Sequence, residues 1–284
     1  MRARRLADVP GFGIDKVAAA AGSDPEVLRM ENLDTDLPPP PGVVDATRRA
    51  VGEIEYNSWL PFSGRHDLKE AVADHVEARS GLRYDPLSEI VITTADGDGL
   101  LDALLATTDP GDEVVLTDPT YAGMINRVRL AGGVPRFAEC GPVDGEWRLD
   151  IDSLRAAVTD KTSALFLQNA TFPTGMVFTQ EEWSAIADLV VERLLHLIYW
   201  GFMESVLFDG PPSASSGFHA RDARPHHHDR LGVDRVPNDR LAGWLGRGRP
   251  RDGRCRWYRA HIQRTGGEWV RSSWSHRGAE IAAR

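Results

Sequence analysis

The chain has 284 residues, of which 42% are hydrophobic, so it can build one large α/β domain or two ordinary domains around a sizeable core. Its apolar runs are short and interrupted, which excludes a transmembrane helix, and charged residues break up the N-terminal region, which argues against a signal peptide. We therefore expect a cytoplasmic protein with no membrane partner. The two cysteines, Cys140 and Cys255, lack the number for a disulfide framework and the spacing of metal ligands, so we expect no metal site.

The net charge of -9 is unevenly distributed along the chain. Residues 211–284, called the tail from here on, hold 15 Arg against 7 Asp and Glu, a balance of +8 that leaves -17 for residues 1–210. A basic tail can bind nucleic acid, and the three histidines of "RPHHHDRLGVDRVPNDRLAGW" can bind metal. The tail has no lysine, and adjacent histidines without fixed geometry make a poor specific site. We therefore favour no nucleic-acid partner, with a functional basic tail as the alternative.

Three regions follow from the patterning. Residues 1–45, which end in "DTDLPPPPG", predict an extended arm. Residues 46–210 alternate strand and helix patterns, and the tail keeps neither period. The expected helices cover 43–54, 66–81 with Gly81 as C-cap, 99–108, 122–133, 150–160, and 179–194 with Thr179 as N-cap; the expected strands cover 89–95, 112–118, 134–139, 163–169 and 195–200. This order predicts an α/β fold with a mainly parallel sheet flanked by helices and a ligand outside the carboxyl ends of the strands.

Three short segments follow expected strands at that edge. "TTADGDGLLDALL" places Asp96, Gly97 and Asp98 where a strand turns into a helix, which suits either a phosphate cradle or a simple turn. The aspartate side chains would repel a phosphate, so a cradle would have to use main-chain N-H groups. Tyr121 in "LTDPTYAG" can stack on a planar ligand or serve in packing. Asn169 opens the turn "NATFPTG", which is polar but by itself ordinary.

Together and in this order, the segments resemble one family. The runs "YNSWLPFSGRHDLKEAVADHV", "ITTADGDGLLDALL", "DPGDEVVLTDPTYAGMINRVRLAGGVPRFA", "LFLQNATFPTGMVFTQEEWSAIADLV" and "MESVLFDG" are similar to the pyridoxal-phosphate-dependent aminotransferases of class I/II, which share the fold type I of aspartate aminotransferase. The resemblance covers roughly residues 30–210. It implies a large domain of that fold, pyridoxal 5'-phosphate as cofactor, an amino acid and a 2-oxo acid as substrates, and a homodimer.

The resemblance also implies roles for individual residues. The backbone of residues 96–98 would hold the cofactor phosphate, and Tyr121 would stack on the pyridine ring. Tyr56 falls in the segment that reaches a neighbouring subunit's phosphate site. Residues 173–175 match the family's Pro-Thr-Gly turn.

Two departures weaken the implied chemistry. Phe172 stands where the family has an asparagine that contacts the pyridine hydroxyl, which leaves Asn169 as the nearest amide. Trp200 stands where the family has an aspartate that protonates the pyridine nitrogen, with Met203 at the usual tyrosine. An indole cannot keep the ring protonated and thereby make it an electron acceptor. Glu204 lies past the strand end and is not favoured as a substitute.

The lysine that would form the Schiff base is also missing. In the family it lies beyond the "FDG" strand, but this chain has no lysine after Lys161. Lys69 and Lys161 lie at the wrong points of the order, and we expect both to be solvated surface residues. The catalytic residue therefore has no assignment.

A change of reading frame explains the tail. Shifted by one base, "HHHDRLGVDRVPNDRLAGWLG" can be read as "TITIGSVSTEYRMIAWRVGWV", which resembles the family's lysine-bearing strand and the "RxGW" segment after it. We interpret the tail as out of frame, with a frameshift near Gly210, so that the small C-terminal domain is missing or replaced. Even the shifted codon that spans Asp234 and Arg235 permits threonine or isoleucine but never lysine.

The sequence therefore predicts an aminotransferase-like chain that is inactive as written. We expect it neither to transaminate nor to fold stably, because the lost strands leave a sheet edge uncovered. The alternative is a non-catalytic ligand-binding or regulatory protein on the same fold.

Overall fold

The computed structural model describes most of the first 203 residues. The described residues are 6–9, 13–22, 24, 26–31, 37–81, 83–203, 207 and, by backbone alone, 259–261. Among these, no helix has the length and apolar character needed to cross a membrane. The predictions for Glu204, for the "FDG" segment and for almost all of the tail lie outside the described residues.

The described chain alternates helices and strands. The α-helices are α1 (Ile14–Ala21), α2 (Pro41–Val51), α3 (His66–Ser80), α4 (Asp96–Thr107), α5 (Ala122–Leu130), α6 (Ile151–Ala157) and α7 (Gln180–Arg193), and a 3-10 turn covers Ile54–Asn57. The strands are β1 (Ile90–Ile92), β2 (Glu113–Asp118), β3 (Val134–Val143), β4 (Glu146–Leu149), β5 (Thr162–Gln168), β6 (His196–Trp200) and β7 (Arg259–His261).

The main sheet has five strands in the order β4-β3-β2-β5-β6. Strands β3, β2, β5 and β6 run parallel, and only β4 is antiparallel. Strand β1 forms a separate parallel pair with β7, in which Ile90 lies opposite Arg259. The prediction of a mainly parallel sheet flanked by helices is confirmed.

Helices cover both faces of the sheet. On one face, the side chains of alternate strand residues pack against α6 and α7, with Trp183 and Phe178 among the fully buried residues. On the other face, the intervening strand residues pack against Leu104 of α4 and Met124 of α5. A third cluster joins α3 to β1. Burial on both faces accounts for the nearly continuous apolar runs of β2 and β5.

Local signals define several helix ends. The Thr179 side chain accepts a hydrogen bond from the Glu182 amide, and Glu182 accepts one from the Thr179 amide, so α7 begins with a full capping box. Gly81 ends α3 in the left-handed conformation. Both predicted caps are confirmed.

Other boundaries differ from the prediction. Helix α1 lies within the arm, which is therefore not wholly extended, although none of the α1 residues is buried. Helix α2 already begins at Pro41, where proline suits the first helical turn. Strand β1 ends at Ile92 and α4 begins at Asp96, so the expected cradle residues belong to the helix itself.

The β3-β4 hairpin was not predicted. Asp144 and Gly145 both have positive φ angles, 51° and 85°, and connect the antiparallel strands. An Asp-Gly pair with this geometry is a strong hairpin signal. The prediction ended β3 at residue 139, four residues short of its end at Val143.

The prediction for Lys69 is wrong. Its side chain is buried, with 3% exposure, and its Nζ donates a hydrogen bond to Ser63 Oγ at 3.1 Å. Helical periodicity places Lys69 on the face of α3 that packs against β1, beside the buried Leu68 and Val72. Lys161 is exposed at the amino end of β5, as predicted.

We predict that His196 makes the stability of the fold depend on pH. Burial lowers the pKa of this histidine from its ordinary value near 6.5 to about 4. The unfolded chain therefore takes up the proton first, so the stabilisation is complete above about pH 6.5 and is lost as the pH falls toward 4, by up to roughly 3 kcal/mol. Urea unfolding of His196→Gln should lack this part of the pH dependence.

His66 provides the matched control. It is exposed on α3, where it lies beside Glu70. His66→Gln should keep the wild-type loss of unfolding free energy between pH 7 and pH 4.5. Equal pH dependence in wild type and His196→Gln would contradict the assignment.

Candidate functional site

Polar and aromatic side chains collect at the carboxyl ends of the parallel strands. Helix α4 begins after β1, Tyr121 follows β2, Asn169 follows β5, and Trp200 ends β6. The main-chain amide of Asn169 donates a hydrogen bond to the main-chain carbonyl of Trp200 at 3.4 Å, which holds the ends of β5 and β6 together. The structure thus brings the predicted site residues to a single edge of the fold, where ligands of open α/β sheets bind.

In the first turn of α4, where the sequence predicts the cradle, one amide is already in use. The Gly97 amide donates to its neighbour's side chain, Asp96 Oδ1, at 2.7 Å. Within the described part of the chain, the amides of Asp96 and Asp98 have no hydrogen-bond acceptor. These amides point out of the positive end of a 12-residue helix, which favours an anion.

An arginine that the sequence interpretation missed lies over this turn. The Arg127 Nε donates to the Gly97 carbonyl at 2.9 Å, and its Nη1 donates to the Gly123 carbonyl at 2.9 Å. A Cβ atom on Gly97 would overlap Arg127 Nη2, and one on Gly123 would overlap the Tyr121 ring. The two glycines therefore leave the space that the arginine and the tyrosine occupy.

Aromatic rings line the site beside the arginine. The Tyr121 ring centroid lies 5.8 Å from that of Phe172, edge to face, and 5.8 Å from that of Trp200. Trp200 in turn stacks on Phe202 at 5.6 Å. The Trp200 Nε1 atom is buried and has no hydrogen-bond partner in the described structure. An indole N-H only donates, so this position can present a donor but no base.

Asn169 supports the turn that follows β5. It is fully buried, and its Oδ1 accepts a hydrogen bond from the Phe178 amide at 3.0 Å. The turn closes on itself through bonds from the Thr171 amide to the Met176 carbonyl and from the Gly175 amide to the Thr171 carbonyl. The Asn169 side-chain oxygen is thus engaged in the protein, although Asn169 is the amide nearest to the position where the family has its cofactor-contacting asparagine.

Tyr56 belongs to a different neighbourhood. Its ring lies under the Arg65 guanidinium, 4.5 Å from the guanidinium carbon to the ring centroid. The hydrogen bond from Arg65 lowers the pKa of Asp67. Tyr56 thus packs against Arg65, and its implied role at a neighbouring subunit stays a prediction.

No group of histidine, cysteine and carboxylate side chains suited to a metal ion occurs in the described ranges. Cys140 is half-buried on β3, and burial raises the pKa of its thiol to about 12. This thiol therefore stays protonated at neutral pH and is a poor nucleophile.

The parallel sheet, the helix that opens at its edge and the aromatic residue after β2 define the large domain of a class I/II aminotransferase. The family model for aminotransferase class I and II matches residues 28–200, and the chain belongs to this family. It is 32% identical over 198 residues to an aspartate/prephenate aminotransferase of Thermus thermophilus. This alignment covers 70% of this chain and 48% of that protein. It is 27% identical over 200 residues to an aspartate aminotransferase of Bacillus subtilis, with 70% and 50% covered. The chain spans about half the length of the curated relatives it matches.

Solved structures agree with this assignment. N-succinyldiaminopimelate aminotransferase from Mycobacterium tuberculosis matches with a TM-score of 0.70 and 26% identity, over 79% of this chain and 58% of that one. A single mutant of Thermus thermophilus aspartate aminotransferase matches with a TM-score of 0.67 and 30% identity, over 75% and 56%. The expected fold type is confirmed.

Membership in this class implies pyridoxal 5'-phosphate as the cofactor. The site fits the anchoring part of that group, because it offers free amides, a guanidinium and an aromatic face. The site fits less well around the pyridine ring and the aldehyde, where the chemistry takes place. Trp200 presents an N-H donor where a carboxylate would be needed to hold a proton on the ring, and no lysine follows Lys161.

Proposed function

We propose that residues 46–210 form an aminotransferase-type large domain that binds pyridoxal 5'-phosphate non-covalently and does not transaminate. The observation that carries the proposal is the composition of the edge site. Its anchoring groups, Arg127 and Tyr121, are in place, while the groups of the chemical step are replaced or absent. When bound, the cofactor supplies an electron sink for carbanions of amino acids, and this chain's residues would position it without completing that chemistry.

The positions of the lysines support the proposal. The chain contains Lys16, Lys69 and Lys161 and no others. Lys161 is exposed at the amino end of β5, opposite the site, and Lys16 is exposed on α1. Lys69 is buried against β1, with its Nζ bonded to Ser63. None of them replaces the missing lysine beyond β6.

The substrates can be proposed only as the two classes on which the family acts. Aminotransferases of this class act on an amino acid and a 2-oxo acid, and we propose that any retained ligand belongs to these classes. A cytoplasmic location and the absence of nucleic-acid and membrane partners also stay predictions. The alternative, a regulatory protein that uses the bound ligand as a signal, shares the same anchoring groups.

We predict that the full chain binds pyridoxal 5'-phosphate without forming a specific lysine adduct. The test combines absorbance spectra with borohydride treatment and peptide mapping, because borohydride fixes a lysine-bound cofactor permanently. Random adducts on exposed lysines serve as an internal control, since an excess of pyridoxine 5'-phosphate, which has no aldehyde, does not suppress them.

The decisive result is an adduct at one lysine in near-stoichiometric yield that pyridoxine 5'-phosphate suppresses. That result would overturn the non-covalent proposal and would identify the reactive lysine. Absence of any such adduct, together with saturable binding of pyridoxine 5'-phosphate, is the outcome we expect.

We also propose that the chain forms a homodimer, as the resemblance implies. Supporting this, the loop beside Tyr56 carries Ile54, Trp59 and Phe62 with exposures of 86%, 86% and 94%. Trp59 and Phe62 contact each other edge to face at 6.4 Å, so they form one apolar patch. Isolated large patches of this kind mark interaction sites. A monomer in sedimentation equilibrium of the full chain at micromolar concentration would refute the dimer.

The frameshift interpretation of the tail is likewise a proposal. Its support is the shifted reading of residues 226–246 and the end of the family match at residue 200. Sequencing the coding DNA across the codons for residues 209–212 checks it directly. We expect that adding or removing one base there restores a frame that encodes the family-like reading of residues 226–246. Coding DNA in which no one-base change restores that frame would contradict the frameshift, whether it is a sequencing error or a real one.

A further inference from the structure

The Arg127 guanidinium is fixed between two helices. It reaches from α5 to the first turn of α4, where Nε donates to the Gly97 carbonyl, and it returns to its own helix through Nη1 and the Gly123 carbonyl, both at 2.9 Å. The bond to Gly97 spans 30 residues of sequence, so it depends on the tertiary fold. The guanidinium plane is therefore held in place before any ligand binds.

The charge of Arg127 is not neutralised by these partners. Both acceptors are backbone carbonyls, and no carboxylate in the described ranges lies within 4.0 Å of the guanidinium. A guanidinium has five N-H donors, and the two bonds leave both N-H groups of Nη2 and one of Nη1 unused. A half-buried cation with unused donors is suited to an anion with several acceptor oxygens.

The unused donors face the cradle. A Cβ on Gly97 would overlap Nη2, which places that nitrogen against the first turn of α4. A Cβ on Gly123 would lie 2.8 Å from Nη1 and would overlap the Tyr121 ring, so the guanidinium and the ring are neighbours. A ligand with a planar ring on Tyr121 would therefore bring an anionic substituent within reach of Arg127.

The aspartates of the cradle are a reason for a cation at this turn. Asp96 and Asp98 both lie in the first turn of α4 and would repel a doubly charged phosphate. The cation of Arg127 offsets their charge at the same turn, which the backbone amides alone cannot do.

We propose that Arg127 binds the phosphate of the ligand and makes the site select phosphorylated over unphosphorylated ring compounds. This inference rests on the proposed cofactor-binding function and deepens it, because it assigns the phosphate's charge partner to α5. Arg127 is thus a binding residue, and it acts through charge-assisted hydrogen bonds to the phosphate oxygens.

The test measures binding of pyridoxine 5'-phosphate and of pyridoxine, which differ only in the phosphate and cannot form lysine adducts. Titration calorimetry at 10 °C with the full chain compares wild type with Arg127→Gln. We expect Arg127→Gln to weaken pyridoxine 5'-phosphate about 10- to 100-fold and to leave pyridoxine binding within about twofold, as loss of a charged hydrogen-bond partner predicts. Arg127→Lys, which keeps the charge but not the fork, should recover part of the loss.

Arg129→Gln is the matched control, because Arg129 lies on the same helix and donates to the Asp8 carbonyl instead. It should bind both compounds like wild type. A purely structural role for Arg127 predicts that Arg127→Gln weakens both compounds equally, and this outcome would overturn the inference.

The outcomes separate the two levels of the proposal. If wild type binds neither compound, the cofactor-binding function itself fails. If wild type prefers the phosphorylated compound and Arg127→Gln keeps that preference, the function stands and the role of Arg127 is wrong. Should Arg127→Gln not fold, phenylglyoxal modification of wild type decides: pyridoxine 5'-phosphate must protect Arg127 and not Arg129, and equal modification with and without ligand refutes the assignment.

Discussion

Burial of both faces of the parallel strands is the constraint on which the rest of the chain depends. Along β2, Val115 packs toward α6 and α7, whereas Val114 and Leu116 pack toward α4 and α5, and all three are fully buried. A strand in this position has no solvated face on which to carry polar side chains. Polar groups collect mainly where the strands end, and beyond the carboxyl end of β1 helix α4 begins with two amides that have no acceptor in the described part of the chain. The position of the site follows from the packing of the sheet.

At that edge, the proposed binding of the cofactor and the chemistry expected of the family depend on different residues. The anchoring groups come from α4 and α5, whose relative position is fixed by the fully buried Leu104 and Met124. The groups that a transamination step needs would come from β6 and from chain beyond it. Trp200 shows the consequence, because its indole packs between Tyr121 and Phe202 and offers neither a negative charge nor a proton acceptor. A buried donor without an acceptor costs about 1 to 3 kcal/mol, which the stacking of the rings offsets at least in part. The domain can thus keep a ligand site after losing the means to use it.

Whether a structural feature can be predicted from the sequence depends on how far apart in the chain its interacting residues lie. The Thr179 capping box and the Gly81 C-cap are encoded within a few residues, and both are where the pattern places them. The Asp144-Gly145 hairpin is equally local, and its signal was present in the sequence but unused. Lys69 shows the limit of this approach, because its hydrophilic character suggests exposure while the docking of α3 on β1 buries it. The contact between Arg127 and Gly97 could not be predicted from the sequence, since it forms only when α4 and α5 pack together. In the sequence, this contact is indicated only by Gly97 and Gly123, which leave room for the arginine.

The edge of β6 that has no described strand beside it is important for the stability of the domain. Among the described strands β6 pairs only with β5, so its other row of N-H and C=O groups has no described partner. Helix α4 contacts both β6 and β7 and thereby connects the main sheet to the β1-β7 pair on one face. Between α4 and β6, Leu100 and Ile198 are buried in one apolar cluster, but this packing supplies no ladder hydrogen bonds to the strand edge. Stability therefore depends on what the chain after residue 203 provides at this edge, whereas the proposed anchoring residues, from Asp96 to Arg127, all precede it. A change of frame in the tail would consequently weaken the fold and remove the chemistry without altering a single residue of the cradle.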